Sequence, residues 1–131
     1  MLVYLDSSAI VKLTRRELET RALLLYLRDW PDRVTSAVSV IEVARAARQS
    51  PSPRRAAQRA DRVLARIGIA ELDASVRALA GTLEPASLRS LDAIHIATAL
   101  GLAADVESFV SYDERQSAAA RQAGLTVVAP R

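Results

Sequence analysis

Four acidic residues sit where a carboxylate is out of place. Asp6 follows directly on the apolar run 2–5 (LVYL), and Asp113 ends the segment 107–113 (ESFVSYD). Glu42 lies inside VSVIEVA, flanked by Val40, Ile41, Val43 and Ala44. Asp92 opens a stretch in which Ala93, Ile94, Ile96, Ala97, Ala99 and Leu100 cover the whole circumference of a helix. Such a helix is buried, and an acid on it needs a partner, because an unpaired buried carboxylate is costly or becomes protonated. No lysine lies nearby in sequence. A divalent cation is one physical solution, since it neutralises several carboxylates at once. The chain has no cysteine and one histidine, His95, so an ion must be held by oxygen ligands or by that histidine. An all-oxygen site takes a hard ion, Mg²⁺ or Mn²⁺. Such a site activates water for attack on phosphorus and stabilises the leaving oxygen, so phosphodiester hydrolysis is its natural reaction.

Each acid also has a plainer reading. Asp6 and Asp113 could cap the helices that follow them, and Asp92 could favour a helix N-terminus through its charge. Glu42 could pair with Arg45 or Arg48 on the surface. Taken together these readings are weaker, because they must account for four acids at apolar strand ends or inside apolar helices. Other acids, such as Glu17, Asp29, Asp61 and Glu114, sit in polar surroundings. His95, three residues after Asp92, could lie near the site. General acid–base work is conceivable there, but a packed, hydrogen-bonded role is the preferred reading.

The elements that must position these acids follow from periodicity and end signals. Strands are expected at 2–5, 33–36, 69–72, 107–113 and 125–129. Helices are expected over 7–13, 17–29 (stopped by Pro31), 37–50, 54–67 (ended by Gly68), 73–83 (capped by Asp73) and 91–103 (capped by Ser90). A last helix is expected over 114–123, ended by Gly124. Residues 51–55 form a break and 84–90 a polar loop. Short strands separated by helices make a parallel sheet covered on both faces, and ligands of such sheets bind beyond the carboxyl ends of the strands. Asp6 and Asp113 stand at two such ends.

The 131 residues allow one domain, with half of them apolar and a quarter charged. No cysteine means no disulfide. The apolar stretch from Ala93 to Ala104 is too short to span a bilayer. The strand beginning at Leu2 leaves no space for a signal peptide, so a cytoplasmic protein is expected. The net charge is +3, and every basic residue but Lys12 is arginine, which suits phosphate partners. Arg55, Arg59, Arg62 and Arg66 form a stripe that could track an RNA backbone or simply face solvent. The run ALLLYLRDW at 22–30 has more apolar residues than one core face needs, with Tyr26 and Trp30 as possible anchors for a partner.

YLDSSAIVKL, TSAVSVIEVARA, LRSLDAIHIATAL and FVSYDERQSAAARQAGLTVVAP resemble, in this order and spacing, the four motifs of PIN-domain proteins of the VapC type. The resemblance covers nearly the whole chain. It implies a single PIN domain over 1–131, of α/β class with three α/β/α layers and a short five-stranded parallel sheet. It implies a Mg²⁺- or Mn²⁺-dependent endoribonuclease acting as the toxin of a toxin–antitoxin pair. It also implies a cognate VapB-type antitoxin and a homodimer, or a heterotetramer or hetero-octamer with the antitoxin. Asp6, Glu42, Asp92 and Asp113 become the acidic quartet around the metal. Asp6 and Asp92 would be its firmest ligands, with Asp113 joining directly or through water. Glu42 would orient or deprotonate the attacking water. One departure concerns the last motif. Many relatives carry threonine before the fourth acid and an aromatic residue after it, where this chain has Ser111 and Gln116, so Glu114 could act in place of Asp113. Two other readings compete with the nuclease. A phosphoacceptor receiver-like signalling domain would want adjacent acids near the first strand and a late lysine, whereas Asp6 is followed by Ser7 and the only lysine is Lys12. A catalytically dead binding module would have no need of an intact quartet.

Overall fold

The computed structural model describes residues 1–131. Its elements in chain order are β1 (Leu2–Leu5), α1 (Ser7–Thr14), α2 (Thr20–Leu27), β2 (Arg33–Ser36), α3 (Val38–Arg48) and α4 (Pro53–Leu64). They continue with β3 (Gly68–Ala70), α5 (Ala74–Ala80), α6 (Ser90–Gly101), β4 (Val106–Val110), α7 (Glu114–Gln122) and β5 (Val127–Val128). The five strands form one sheet in the order β3-β2-β1-β4-β5, and every pairing is parallel.

Both faces of the sheet are buried, which is why its strands read as apolar runs rather than as an alternation. Val3, Leu5 and Val110 point into a core built with Ala9 and Ile10 of α1, Leu23 and Leu27 of α2, Val43 of α3 and Ala60 of α4. Tyr4, Val34 and Phe109 point the other way, against Ile96 and Ala99 of α6 and Ala119 and Ala120 of α7. Tyr4 and Phe109 stack with centroids 5.1 Å apart. Each fully buried Val, Leu, Ile or Phe stabilises this sandwich by roughly 1.5–3 kcal/mol. The layers are therefore α/β/α, as expected.

Strand order runs outward in both directions from the β1–β4 pair. The chain ends of those two strands flank the point where the order reverses, the place where open parallel sheets bind ligands. In register, Leu5 stands beside Val110, so Asp6 and Ser111 emerge side by side.

Several expectations are corrected. The second helix starts at Thr20 rather than 17, because Thr20 Oγ1 takes the Glu17 N–H and ties down the preceding turn. Gly68 does not end a helix. It is the first residue of β3, where a Cβ would lie 3.3 Å from the Arg33 carbonyl oxygen. Ser90 is not the cap of α6; it is the first helical residue, and Arg89 precedes it with no side-chain cap. Strand β4 stops at Val110, three residues early, because the Ser111 and Asp113 side chains turn to cap and site contacts. Gly124 does end α7, with φ of +99°. Tyr26 and Trp30 are not free anchors. Both pack on the protein's own core, and the Tyr26 hydroxyl bonds Ser108 Oγ at 2.7 Å. The apolar residues of that run left exposed are Leu24 and Leu25. On α4, Ala56 and Ala60 are buried while Arg55, Arg59 and Arg62 face outward, as the periodicity implies. No helix is long and apolar enough to cross a membrane.

Candidate active site

Asp6 caps α1 through its Oδ1, which accepts from Ala9 N at 2.9 Å and from Ser8 Oγ at 2.6 Å. Its Oδ2 accepts from Ser111 Oγ. The residue is 2% exposed, yet no lysine or arginine pairs with it. Burial pushes its carboxyl above the ordinary range, against the pull of those three hydrogen bonds and the His95 charge.

Ser111 leads on to a second acid. Its Oγ lies 3.2 Å from Gln116 Oε1, and Gln116 Nε2 donates to Asp92 Oδ1 at 3.0 Å. Gln116 is buried, and it links the carboxylate at the end of β1 with the one on α6. Asp92 is half-buried. Its carboxyl is raised by burial first and then by the charge of Asp113, with Glu42 adding to the rise. His95 and Arg89 oppose it. Asp113 caps α7 by accepting from Gln116 N at 2.9 Å. Glu114 is exposed on the first turn of α7, and its charge does not register on Asp92 as that of Asp113 does.

Glu42 approaches from α3. Its Oε1 accepts from Ser7 Oγ at 2.6 Å and lies 2.8 Å from His95 Nε2. Burial works to raise this carboxyl, but the hydrogen bonds from His95 and Ser7 and the His95 charge outweigh it, leaving Glu42 below its ordinary value. Behind it, His95 Nδ1 meets the Tyr4 hydroxyl at 2.6 Å. The two ring nitrogens are both engaged, Nε2 with the Glu42 carboxylate and Nδ1 with the Tyr4 hydroxyl. His95 is thus packed in the core and touches a site acid at the same time. Neither Arg45 nor Arg48 pairs with Glu42.

Asp6 and Asp92 are therefore joined through Ser111 and Gln116, while Asp113 and Glu42 lie close enough for their charges to bear on Asp92. No three of the chain's histidine, aspartate and glutamate side chains form a metal-binding group as they stand. The donor set nevertheless fits a hard cation. It is all oxygen, no lysine or arginine forms an ion pair with any of the four acids, and burial raises the carboxyls of Asp6 and Asp92. Sequence reasoning singled out the four acids but missed Ser7, Ser8, Ser111 and Gln116 as their supports. The signal available for the last two was their departure from the family pattern.

A five-stranded parallel sheet between two helical layers sets the class of fold, and sequence comparison sets the family. A family model of the PIN domain matches residues 3–122, and the chain belongs to the PIN-domain family. Within it, the chain is similar to the curated ribonuclease VapC46 of Mycobacterium tuberculosis, at 47% identity over 128 residues, covering 98% of this chain and 97% of that protein. It is 42% identical over 134 residues to ribonuclease VapC35 of the same organism, with the same coverage. The solved structure of VapBC2 from Rickettsia felis, bound to a DNA fragment from its promoter, aligns over all of both chains with a TM-score of 0.76 at 15% identity. That match shows a shared fold. The receiver-like alternative falls with these results, and Lys12 is engaged with Glu19 at 2.8 Å.

Proposed function

We propose that this chain, as one PIN domain over residues 1–131, is a Mg²⁺- or Mn²⁺-dependent endoribonuclease and the toxin of a VapBC-type pair. What supports the reading is the link from Asp6 through Ser111 and Gln116 to Asp92 beside the β1–β4 strand ends, in a PIN-domain chain nearly half identical to a named VapC ribonuclease. Asp6, Asp92 and Asp113 would hold the cation, with Glu42 beside them. When bound, the ion supplies Lewis-acid polarisation of a phosphoryl oxygen and makes water easier to deprotonate. Glu42 is then the proton acceptor. It stays ionised at neutral pH, Ser7 and His95 fix its Oε1, and its Oε2 has no protein hydrogen bond, leaving it free to receive a proton from water attacking phosphorus. His95, braced by Tyr4, holds Glu42 and does not itself reach the substrate. Ser111 and Gln116 orient the carboxylates of Asp6 and Asp92.

The same reading includes a VapB-type antitoxin as partner. Leu24 and Leu25 on α2 and Val40 and Ile41 on α3 are exposed apolar side chains of the kind a partner chain covers. The test is cleavage of a structured RNA by purified protein free of antitoxin. Cleavage should require Mg²⁺ or Mn²⁺, and Glu42→Gln should slow it by about 10²–10⁴-fold. Equal cleavage in EDTA would overturn the proposal.

A further inference from the structure

Beside Asp92 the surface opens into a cleft of about 390 Å³ between the loop 85–89, the start of α6 and the outer face of α7. Asp92 is one of its walls, so the cleft is continuous with the acidic site. Arg89 and Arg115 also line it. Both are exposed, and neither has a carboxylate within ion-pair distance. Arg89 and Asp92 line the same cleft, and the charge of Arg89 is felt at Asp92. Leu88 and Ala118 give the cleft an apolar floor, and Gln122 adds an amide that both donates and accepts. The volume lies at the small end of the range for small-molecule sites, about 300–1,000 Å³. It suits one nucleotide, not a duplex.

Two unpaired arginines over an apolar floor, next to a carboxylate cluster, match the chemistry of a nucleotide. The phosphate meets the arginines and the base meets the floor. We propose that this cleft seats the nucleotide next to the scissile phosphate of a single-stranded RNA segment, with Arg89 and Arg115 neutralising the backbone there. The inference rests on the ribonuclease reading above, and it assigns the direction in which the RNA leaves the acids, toward α7. The arginine stripe on α4 belongs to the opposite helical layer, which packs with α1 and α3. Arg59 and Arg62 on that stripe therefore serve as comparators of equal charge.

The experiment measures binding of a fluorescent single-stranded oligoribonucleotide by anisotropy across a salt series. It is done with Mg²⁺ in a Glu42→Gln background that suppresses cleavage. Adding Arg89→Ala and Arg115→Ala should lower affinity about tenfold, the order expected for two exposed charge-assisted contacts. The slope of log affinity against log salt should flatten by about 1.4, or about 0.7 for each phosphate no longer neutralised. Mn²⁺ affinity by calorimetry should not fall, and RNA binding by the Arg59→Ala/Arg62→Ala pair should stay unchanged. In the Glu42-containing protein the cleft variant should raise KM with little change in kcat. An unchanged slope in the cleft variant, or an equal loss in both arginine pairs, overturns the assignment while leaving the ribonuclease reading intact. Strong RNA binding with the expected slope change, but no cleavage by the Glu42 protein, supports the cleft and overturns the ribonuclease reading. A parent protein that binds no RNA overturns both.

Discussion

Asp6→Asn separates the chemistry of the site from the stability of the fold. The carboxylate is almost wholly buried and accepts hydrogen bonds from Ala9 N, Ser8 Oγ and Ser111 Oγ. Asparagine keeps the Oδ1 that caps α1 and presents an NH₂ group where Oδ2 stood. Ser111 can then reverse, accepting from that amide and giving its own hydrogen to Gln116 Oε1, 3.2 Å away. The hydrogen bonds survive in number while a buried charge disappears. Three charge-assisted bonds weakened to neutral ones lose about 3 kcal/mol in all. The burial penalty relieved is of the order of several kcal/mol, since no basic side chain offsets it. The asparagine variant in EDTA at about pH 8 should therefore be more stable than the parent by roughly 1–2 kcal/mol, a rise in Tm of about 3–8 °C. Asp6→Ala removes the cap and the acceptor for two serines, and should be less stable than the parent by about 1–3 kcal/mol. Both should lose cleavage. The assay is thermal denaturation in EDTA alongside RNA cleavage in Mg²⁺. An asparagine variant that melts as low as the alanine variant, or that still cleaves, refutes the reasoning.

Other substitutions probe the supports of the quartet. Gln116→Met keeps the volume but frees Asp92 Oδ1 and the Ser111 hydroxyl; calorimetry should show Mn²⁺ affinity lower by about 10–100-fold, the usual effect of losing an outer support. His95→Phe removes the Tyr4 hydroxyl's side-chain partner and leaves Glu42 Oε1 with Ser7 alone, so denaturant melts should show a loss of about 2–4 kcal/mol; His95→Gln, which can still donate to Glu42, should recover part of both stability and kcat. Stability in EDTA should depend on pH with a definite sign. Burial raises Asp6, and burial with the Asp113 charge raises Asp92, so their folded values exceed the unfolded value of about 3.9. Each contributes stability that is full below that value and is lost as pH rises through the folded one, so Tm should decline as pH rises above about 4. Glu42 is lowered, so its contribution is lost only as pH falls through its folded value, below this window. Added Mg²⁺ at the upper pH should recover the lost Tm, and a Tm that climbs with pH in EDTA contradicts the assignment.

The positions of the acids could be read from the chain because apolar runs that end in a carboxylate are a local pattern. Their supports could not. Ser111 meets Asp6 only because β4 pairs with β1 in register, across 105 residues of chain. Gln116 reaches Asp92 only because α6 and α7 lie on the same face of the sheet. Glu42 illustrates the limit of local rules, since spacing offered Arg45 and Arg48 while the fold supplied His95, 53 residues away. Asp6 and Asp113 do cap the helices that follow them, and capping is compatible with the proposed site role. Capping α1 and α7 anchors these two carboxylates to rigid elements. Layer order and helix faces followed from periodicity. Ends such as Ser90 and Gly68 did not, because tertiary contacts set the first and last turns.

The most direct test of the cation site is a crystal grown with Mn²⁺ and measured near the manganese absorption edge. One anomalous peak is expected at the carboxyl end of β1, within about 2.0–2.3 Å of carboxylate oxygens from both Asp6 and Asp92. A peak confined to other acids, such as Glu17 and Glu19, or no peak at a manganese concentration that supports cleavage, would contradict it.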